Sequence, residues 1–212
     1  MPQRSAWLPV LGACLALAGC NPALNWRVAR LDGAPVQALL PCKPERAVRE
    51  VALLGPDAPP ATLRMMSCDS AGLTFAVSAV RLPEGATANA SASSTQTATA
   101  TATPDVTDLM DRWQLATWAS LRQSPPAASA PTPTPAPSPA LAPPGWAPES
   151  QPVRGAEQQR GWQGPGVAHD GRTLQARFVL AQRAGWLVQA AVYGPGWSAE
   201  TGETFFGGLA LE

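Results

Sequence analysis

The apolar positions of this chain recur with two different periods, and the elements follow from them. Leu73, Phe75, Val77 and Ala79 alternate with Thr74, Ala76 and Ser78, a period of two that predicts a strand near the centre of a sheet. Leu174, Ala176, Phe178 and Leu180 alternate with Gln175 and Arg177. A turn at Arg183-Ala184-Gly185 then leads into Trp186, Val188, Ala190 and Val192, the clearest hairpin in the chain. Shorter strands are predicted at Trp26–Leu31, before a turn at Asp32-Gly33, and at Val36–Leu40. Another at Arg46–Leu53 pairs back with Thr62–Cys68 around Gly55-Pro56-Asp57 and Pro59-Pro60. Pro41 and Pro44 keep their stretch out of a central strand, because each removes a ladder donor.

The second period is helical. From Pro104-Asp105 to Arg122, the residues Val106, Leu109, Met110, Trp113, Ala116 and Leu121 fall on one stripe. Asp105 and Asp108 suit the positive end of the helix dipole. Leu115 and Trp118 lie off the stripe, as a small partner-binding patch or under flanking chain. Ser198 to Leu211 reads as a short helix capped by Ser198. Glu200 and Glu203 stand in its first turn, with Phe205, Phe206 and Leu209 facing inward.

Two segments carry no period. Residues 86–103 hold only Ala, Thr, Ser, Asn and Gln, too little apolar surface to offset ordering entropy. Ser124–Pro152 holds eleven prolines and one charge, Glu149, the composition of a polyproline-type spacer. Together these patterns predict an α+β fold: a mostly antiparallel β-sheet packed by one central helix and a short C-terminal helix, with two long disordered insertions. The expected organisation is a leader over 1–19, a tether over 20–24 and strands over 25–85. A disordered loop at 86–103, the helix at 104–122 and a Pro-rich disordered insertion at 123–165 follow. The hairpin and C-terminal helix close the domain over 166–212.

The leader is read from chemistry. Arg4 is the only charge among the first nineteen residues, and the apolar core Ala6–Leu17 is interrupted only by Pro9 and Gly12. About a dozen apolar residues fall short of the roughly 20 a spanning helix needs and fit a secretory signal. The core ends on Leu17-Ala18-Gly19-Cys20, which resembles the lipobox of bacterial lipoproteins. That resemblance implies a diacylglycerol thioether on Cys20, cleavage before it and an acylated new amine. Each buried acyl methylene contributes about 0.8 kcal/mol, so two or three chains anchor stably. Asn21 stands where inner-membrane lipoproteins of the enteric type tend to carry Asp, which points to the outer membrane. The expected location is therefore the periplasmic side of the cell envelope, close to the bilayer. Five tether residues span at most roughly 18 Å.

Four cysteines then have distinct expected fates. Cys14 leaves with the leader and Cys20 is lipidated. Cys42 and Cys68 remain as an even pair in an oxidising compartment, which predicts a structural disulfide. A redox or metal role needs a C-x-x-C spacing or more ligands than two thiols and one histidine. Closing that loop stabilises a fold by about 3.5 kcal/mol in the chain-entropy picture.

Charge and motif content narrow the function. Lys and Arg total 15, as do Asp and Glu, with no basic cluster, so a nucleic-acid partner is not expected. No phosphate-binding glycine loop, His-Glu-x-x-His helix or acidic calcium loop occurs, and no cofactor or metal is implied. The single histidine, His169, sits beside Asp170-Gly171 at a predicted turn, and neither Ser67 nor Ser198 lies in a Gly-x-Ser-x-Gly setting. No catalytic residue is assigned. Seven tryptophans follow the leader, of which Trp146, Trp162, Trp186 and Trp197 each follow a glycine. They either pack on the domain or present faces to sugars or a membrane interface.

The order of elements resembles the PsbP-like α/β sandwich, whose members include bacterial envelope lipoproteins. The likeness covers Trp26–Ala79, Asp105–Arg122 and Gly166–Leu211, with the aromatic ending Glu203-Thr204-Phe205-Phe206-Gly207-Gly208-Leu209. It implies a fold and carries over no binding residues. The expected function is a non-enzymatic binding or assembly accessory whose partner is an envelope protein. The alternative is a carrier or sensor of a small apolar ligand held between sheet and helix near Trp113 and Phe178.

Overall fold

The structure, a computed structural model, describes residues 24–53, 60–83, 105–121 and 142–212. The leader with Cys20, the loop at 86–103 and residues 122–141 of the Pro-rich segment lie outside the described residues. In chain order the elements are β1 (Arg27–Arg30), β2 (Val36–Leu40), β3 (Glu45–Val51), β4 (Ala61–Ser70) and β5 (Leu73–Arg81). They continue with α1 (Val106–Ser120), β6 (Ala147–Glu149), β7 (Gln158–Val167), β8 (Thr173–Arg183), β9 (Trp186–Gly194), α2 (Ala199–Gly207) and β10 (Ala210–Leu211).

Seven strands form one antiparallel sheet in the order β3-β4-β5-β9-β8-β7-β6, and three form a smaller sheet, β1-β2-β10. The middle of the large sheet is where burial is continuous, with Arg177, Gln182 and Gln189 enclosed among apolar neighbours. Ala176 to Gln182 on β8 and Trp186 to Val192 on β9 are all buried, because both faces are covered. On one face, Phe75, Val77, Ala79, Val188, Ala190 and Val192 pack against the small sheet and α2, meeting Val36, Leu40, Phe205 and Phe206. On the other, Val80, Phe178, Leu180, Leu187 and Ala191 pack against Val106, Leu109, Met110, Trp113 and Trp118 of α1. The result is three layers: a helix, a broad sheet, and a small sheet with a helix.

The hairpins β4–β5 and β8–β9 turn in two residues, with Ser70 opposite Leu73 and Arg183 opposite Trp186. Both loops read Ala-Gly, and both residues of each have positive φ: 53° and 76° at Ala71-Gly72, 47° and 77° at Ala184-Gly185. That is the signature of the type I′ turn, whose twist suits paired strands. Gly accepts it freely, whereas each alanine is held in a region its Cβ disfavours.

The predicted elements are present with ends shifted by a few residues, and the β5 strand lies beside the central β9. Asp105 caps α1, its carboxylate accepting from the Thr107 N–H, and Ser198 caps α2 in the same way from Thr201. Three expectations change. The buried stripe of α1 is Val106, Leu109, Met110, Trp113, Gln114, Thr117 and Trp118, so Ala116 faces outward and two polar residues replace it inside. The Pro-rich insertion ends well before residue 165: β6 and β7 occupy its second half and extend the sheet by two strands. The C-terminus does not end in helix, because β10 pairs with β2.

Candidate functional site

Cys42, half-buried just past β2, and Cys68 on β4 are disulfide-bonded, with Cα atoms 5.9 Å apart. The bridge ties the connection between β2 and β3 to β4, adding a covalent link between the small sheet and the large one. Cys20 lies outside the described residues.

The strand that sequence patterning missed, β7, organises the rest. It carries glycine at 161 and 164, on opposite faces by the alternation of a strand. On the α1 face, a Cβ on Gly164 would fall 2.7 Å from the Trp146 ring, so the missing side chain is the slot in which that indole lies. Trp146 thereby reaches across β7 to Phe178 on β8, with ring centroids 5.7 Å apart, and to Trp118 of α1 at 6.1 Å. Trp162 closes the group at 5.5 Å from Trp118 and donates its indole N–H to Gln114 Oε1 at 2.9 Å.

Trp118 is therefore 0% exposed, and Leu115 is half-buried against the same cluster. Of the pair offered from sequence as a partner patch, Trp118 is covered: flanking chain, Trp146 and Trp162, lies over it. Edge-to-face aromatic pairs of this kind add about 0.5–1.5 kcal/mol each beyond area burial. The polar residues on the buried stripe of α1 are all engaged. Thr117 Oγ1 donates to the Trp113 carbonyl and accepts from Gln189 Nε2 on β9, while the Leu121 carbonyl accepts from the Val167 N–H. An ion pair between Arg160 of β7 and Asp111 completes the latch of helix to sheet.

On the other face of β7, a Cβ on Gly161 would stand 3.0 Å from Glu149 Cβ and from Val179 Cγ2. The glycine lets Glu149 of β6 reach over β7 to Arg177 on β8, where Oε2 lies 2.9 Å from Nε. The angle at Nε falls outside hydrogen-bond geometry, so this contact is an ion pair, and the directional bond runs from Arg177 Nη2 to Gln151 Oε1 at 2.6 Å. Arg177 is 7% exposed and its guanidinium covers the Phe206 ring at 4.2 Å. Burial pulls its pKa below the usual arginine range, and Glu149 and Glu203 restore part of it. Glu203, expected at the start of α2, stands a turn further on. With Trp197 and Gln163 it lines an open polar recess of about 520 Å³ over Arg177. Glu149 is the ion-pair partner of that cation, so the arrangement holds β6, β8 and α2 together.

A second recess, of about 590 Å³, is apolar. Val51, Leu53, Leu63, Trp113 and Ala116 line it at the corner where α1 leaves β3 and β4 uncovered, with Arg112 on its rim. Phe178, named with Trp113 as a possible ligand contact, is 0% exposed in the core and does not line it.

His169 is exposed in the turn between β7 and β8. Its neighbour Asp170 is taken up by Arg172, whose backbone N–H donates to Oδ1 at 3.1 Å and whose Nε donates to Oδ2 at 2.6 Å. The backbone N–H of Arg172, then its side chain, holds the Asp170 carboxyl below its usual range. Ser198 is committed to capping α2. Among the described residues no group of three or more His, Cys, Asp or Glu side chains could hold a metal, and no helix is long and apolar enough to cross a membrane. No protein-family model matches the chain, and comparison with curated proteins and with solved structures finds no match.

Proposed function

We propose that this protein is a lipid-anchored, non-enzymatic binding or assembly accessory of the bacterial cell envelope, held on the periplasmic side through Cys20. The observation that carries the reading is the Cys42–Cys68 bridge, a bond that persists in oxidising compartments and is rare in the cytosol. It agrees with the destination implied by Leu17-Ala18-Gly19-Cys20. The outer membrane is the favoured site, on the identity of Asn21. The partner is an envelope protein, and the surface offered to it is the apolar corner around Leu63 and Trp113, which no described element covers. Fractionation tests the anchor. The parent chain should take up labelled fatty acid and stay with salt-washed membranes, whereas Cys20→Ser should do neither. A Cys20→Ser protein that remains on the membrane would end this reading.

A second reading, a carrier of a small apolar ligand, is favoured by one observation: the same recess has the volume of a small-molecule site. Anilinonaphthalene sulfonate is a suitable probe. A carrier should bind it with enhanced emission and lose it in Ala116→Glu, a change on an exposed helix position. Equal emission from both proteins would rule the carrier out.

A further inference from the structure

The two ends of the large sheet are finished differently. At one end β6 is three residues long and has Pro148, which has no N–H, at its centre. At the other end β3 has seven residues, is paired among the described residues with β4 alone, and has six positions exposed. Val48, at its midpoint, is 60% exposed, one of two exposed large hydrophobics among the described residues. An unpaired edge of this length is a template for another strand unless something blocks it. Four charges on β3 would ordinarily do that, but their order is self-complementary.

We infer that β3 pairs antiparallel with β3 of a second copy about a two-fold axis through Val48. A two-fold perpendicular to the sheet preserves its faces, so each residue meets one of its own parity. Centred on Val48, the pairing sets Arg46 opposite Glu50 of the second copy, twice by symmetry, and Val48 opposite Val48. Ala47 then meets Arg49 and Glu45 meets Val51, leaving Glu45 diagonal to Arg49 of the other strand. Neighbouring registers fail. An axis at Arg46, Arg49 or Glu50 puts a charge against itself, and an axis at Ala47 sets Glu50 opposite Pro44. Only the Val48 register joins all seven residues with no like charges face to face. Arg46 is already steadied by Asp32, 3.1 Å from its Nε, and by the Arg30 carbonyl, and Glu50 by the Thr62 hydroxyl. A guanidinium has five N–H donors, so these contacts do not exhaust it.

The geometry suits a surface-bound protein. The described residues begin at Leu24, just before β1 in the small-sheet layer, and the two-fold leaves both copies of that point on the same side of the shared sheet. Two anchors could therefore sit in one bilayer. A seven-residue strand pair buries less than the roughly 1,200 Å² of a standard interface, so association in solution is weak and gains from confinement on a membrane.

Sedimentation of the mature chain carrying Cys20→Ser, over a concentration series, tests this. The weight-average mass should climb from one chain towards two. Arg46→Glu and Glu50→Arg should each remain monomeric, and mixing the two should restore association, because opposite charges again face each other across the axis. A parent chain that stays monomeric throughout, or association that survives both reversals, would overturn the inference. If a reversed chain fails to fold, Val48→Cys decides: mild oxidation should give a covalent dimer, and its absence would overturn the proposal.

Discussion

The Glu149 carboxylate meets the Arg177 guanidinium at 2.9 Å across a strand that separates them in the sheet, and only the missing side chain of Gly161 makes that reach possible. Both side chains are nearly buried, at 14% and 9% exposure, so neither partner can be removed without stranding the other in a poor solvent. Glu149→Ala should therefore destabilise the domain by about 3–5 kcal/mol, with Gln151 and Glu203 reducing the loss. Chemical denaturation checks it. A loss within the ~0.5 kcal/mol typical of surface changes would show that the pair contributes nothing.

The same residues explain what could be read from the sequence. Periodicity found β5, β8, β9 and both helices, because each carries a regular run of apolar residues that packs on a neighbouring layer. It missed β6 and β7, because their packing residues are Trp146, Glu149, Gly161, Trp162 and Gly164, spaced by neither period. Gly164 and Gly161 contribute by absence, and no hydrophobic pattern records an absence. Proline content placed Trp146 and Glu149 in a spacer, whereas these two residues fasten the sheet edge from both faces. Removing 142–152 would take both away, so the dispensable part of the Pro-rich segment must stop short of Ala142. Of the two readings open for Trp118, burial under flanking chain holds, the cover being Trp146 and Trp162. The disulfide was legible because Cys42 and Cys68 are the two cysteines that fall within the folded domain.

Ala71 and Ala184 hold first positions of type I′ turns where asparagine is favoured. Both are exposed, so a larger side chain meets no packing. Ala184→Asn and Ala71→Asn should each stabilise the domain by ~0.5–1 kcal/mol, read as a raised midpoint at unchanged m-value. A lowered midpoint in both would contradict the turn assignment.

Tyr193, the only tyrosine, is packed against the α1-side cluster, and burial pushes its phenol from 10.0 up to about 12. A folded pKa above the unfolded one means stability is intact below pH 10 and is lost as pH rises towards 12. Tyrosinate absorbance reads this single group without ambiguity. The expected midpoint is well above 10 in the folded protein and near 10 in denaturant. Tyr193→Phe should lose less stability than the parent over that alkaline window.

Cys42 and Cys68 together link the two sheets. Replacing both by alanine should cost about 3.5 kcal/mol, a large share of a typical total of 5–15 kcal/mol, while leaving lipidation untouched. Thiol titration of the denatured, unreduced protein should find neither sulfur reactive. Two titratable thiols would reopen a redox or metal role for the pair.

Lipid attachment at Cys20 decides whether this is an envelope-surface protein, and one peptide reports on it. Trypsin should release the mature chain's first fragment, Cys20–Arg27, from protein purified out of membranes. Mass spectrometry should find it starting at Cys20, heavier by a thioether-linked diacylglycerol and, with amine acylation, by a further acyl chain. An unmodified Cys20, or a fragment that still extends into Ala18-Gly19, would contradict the account.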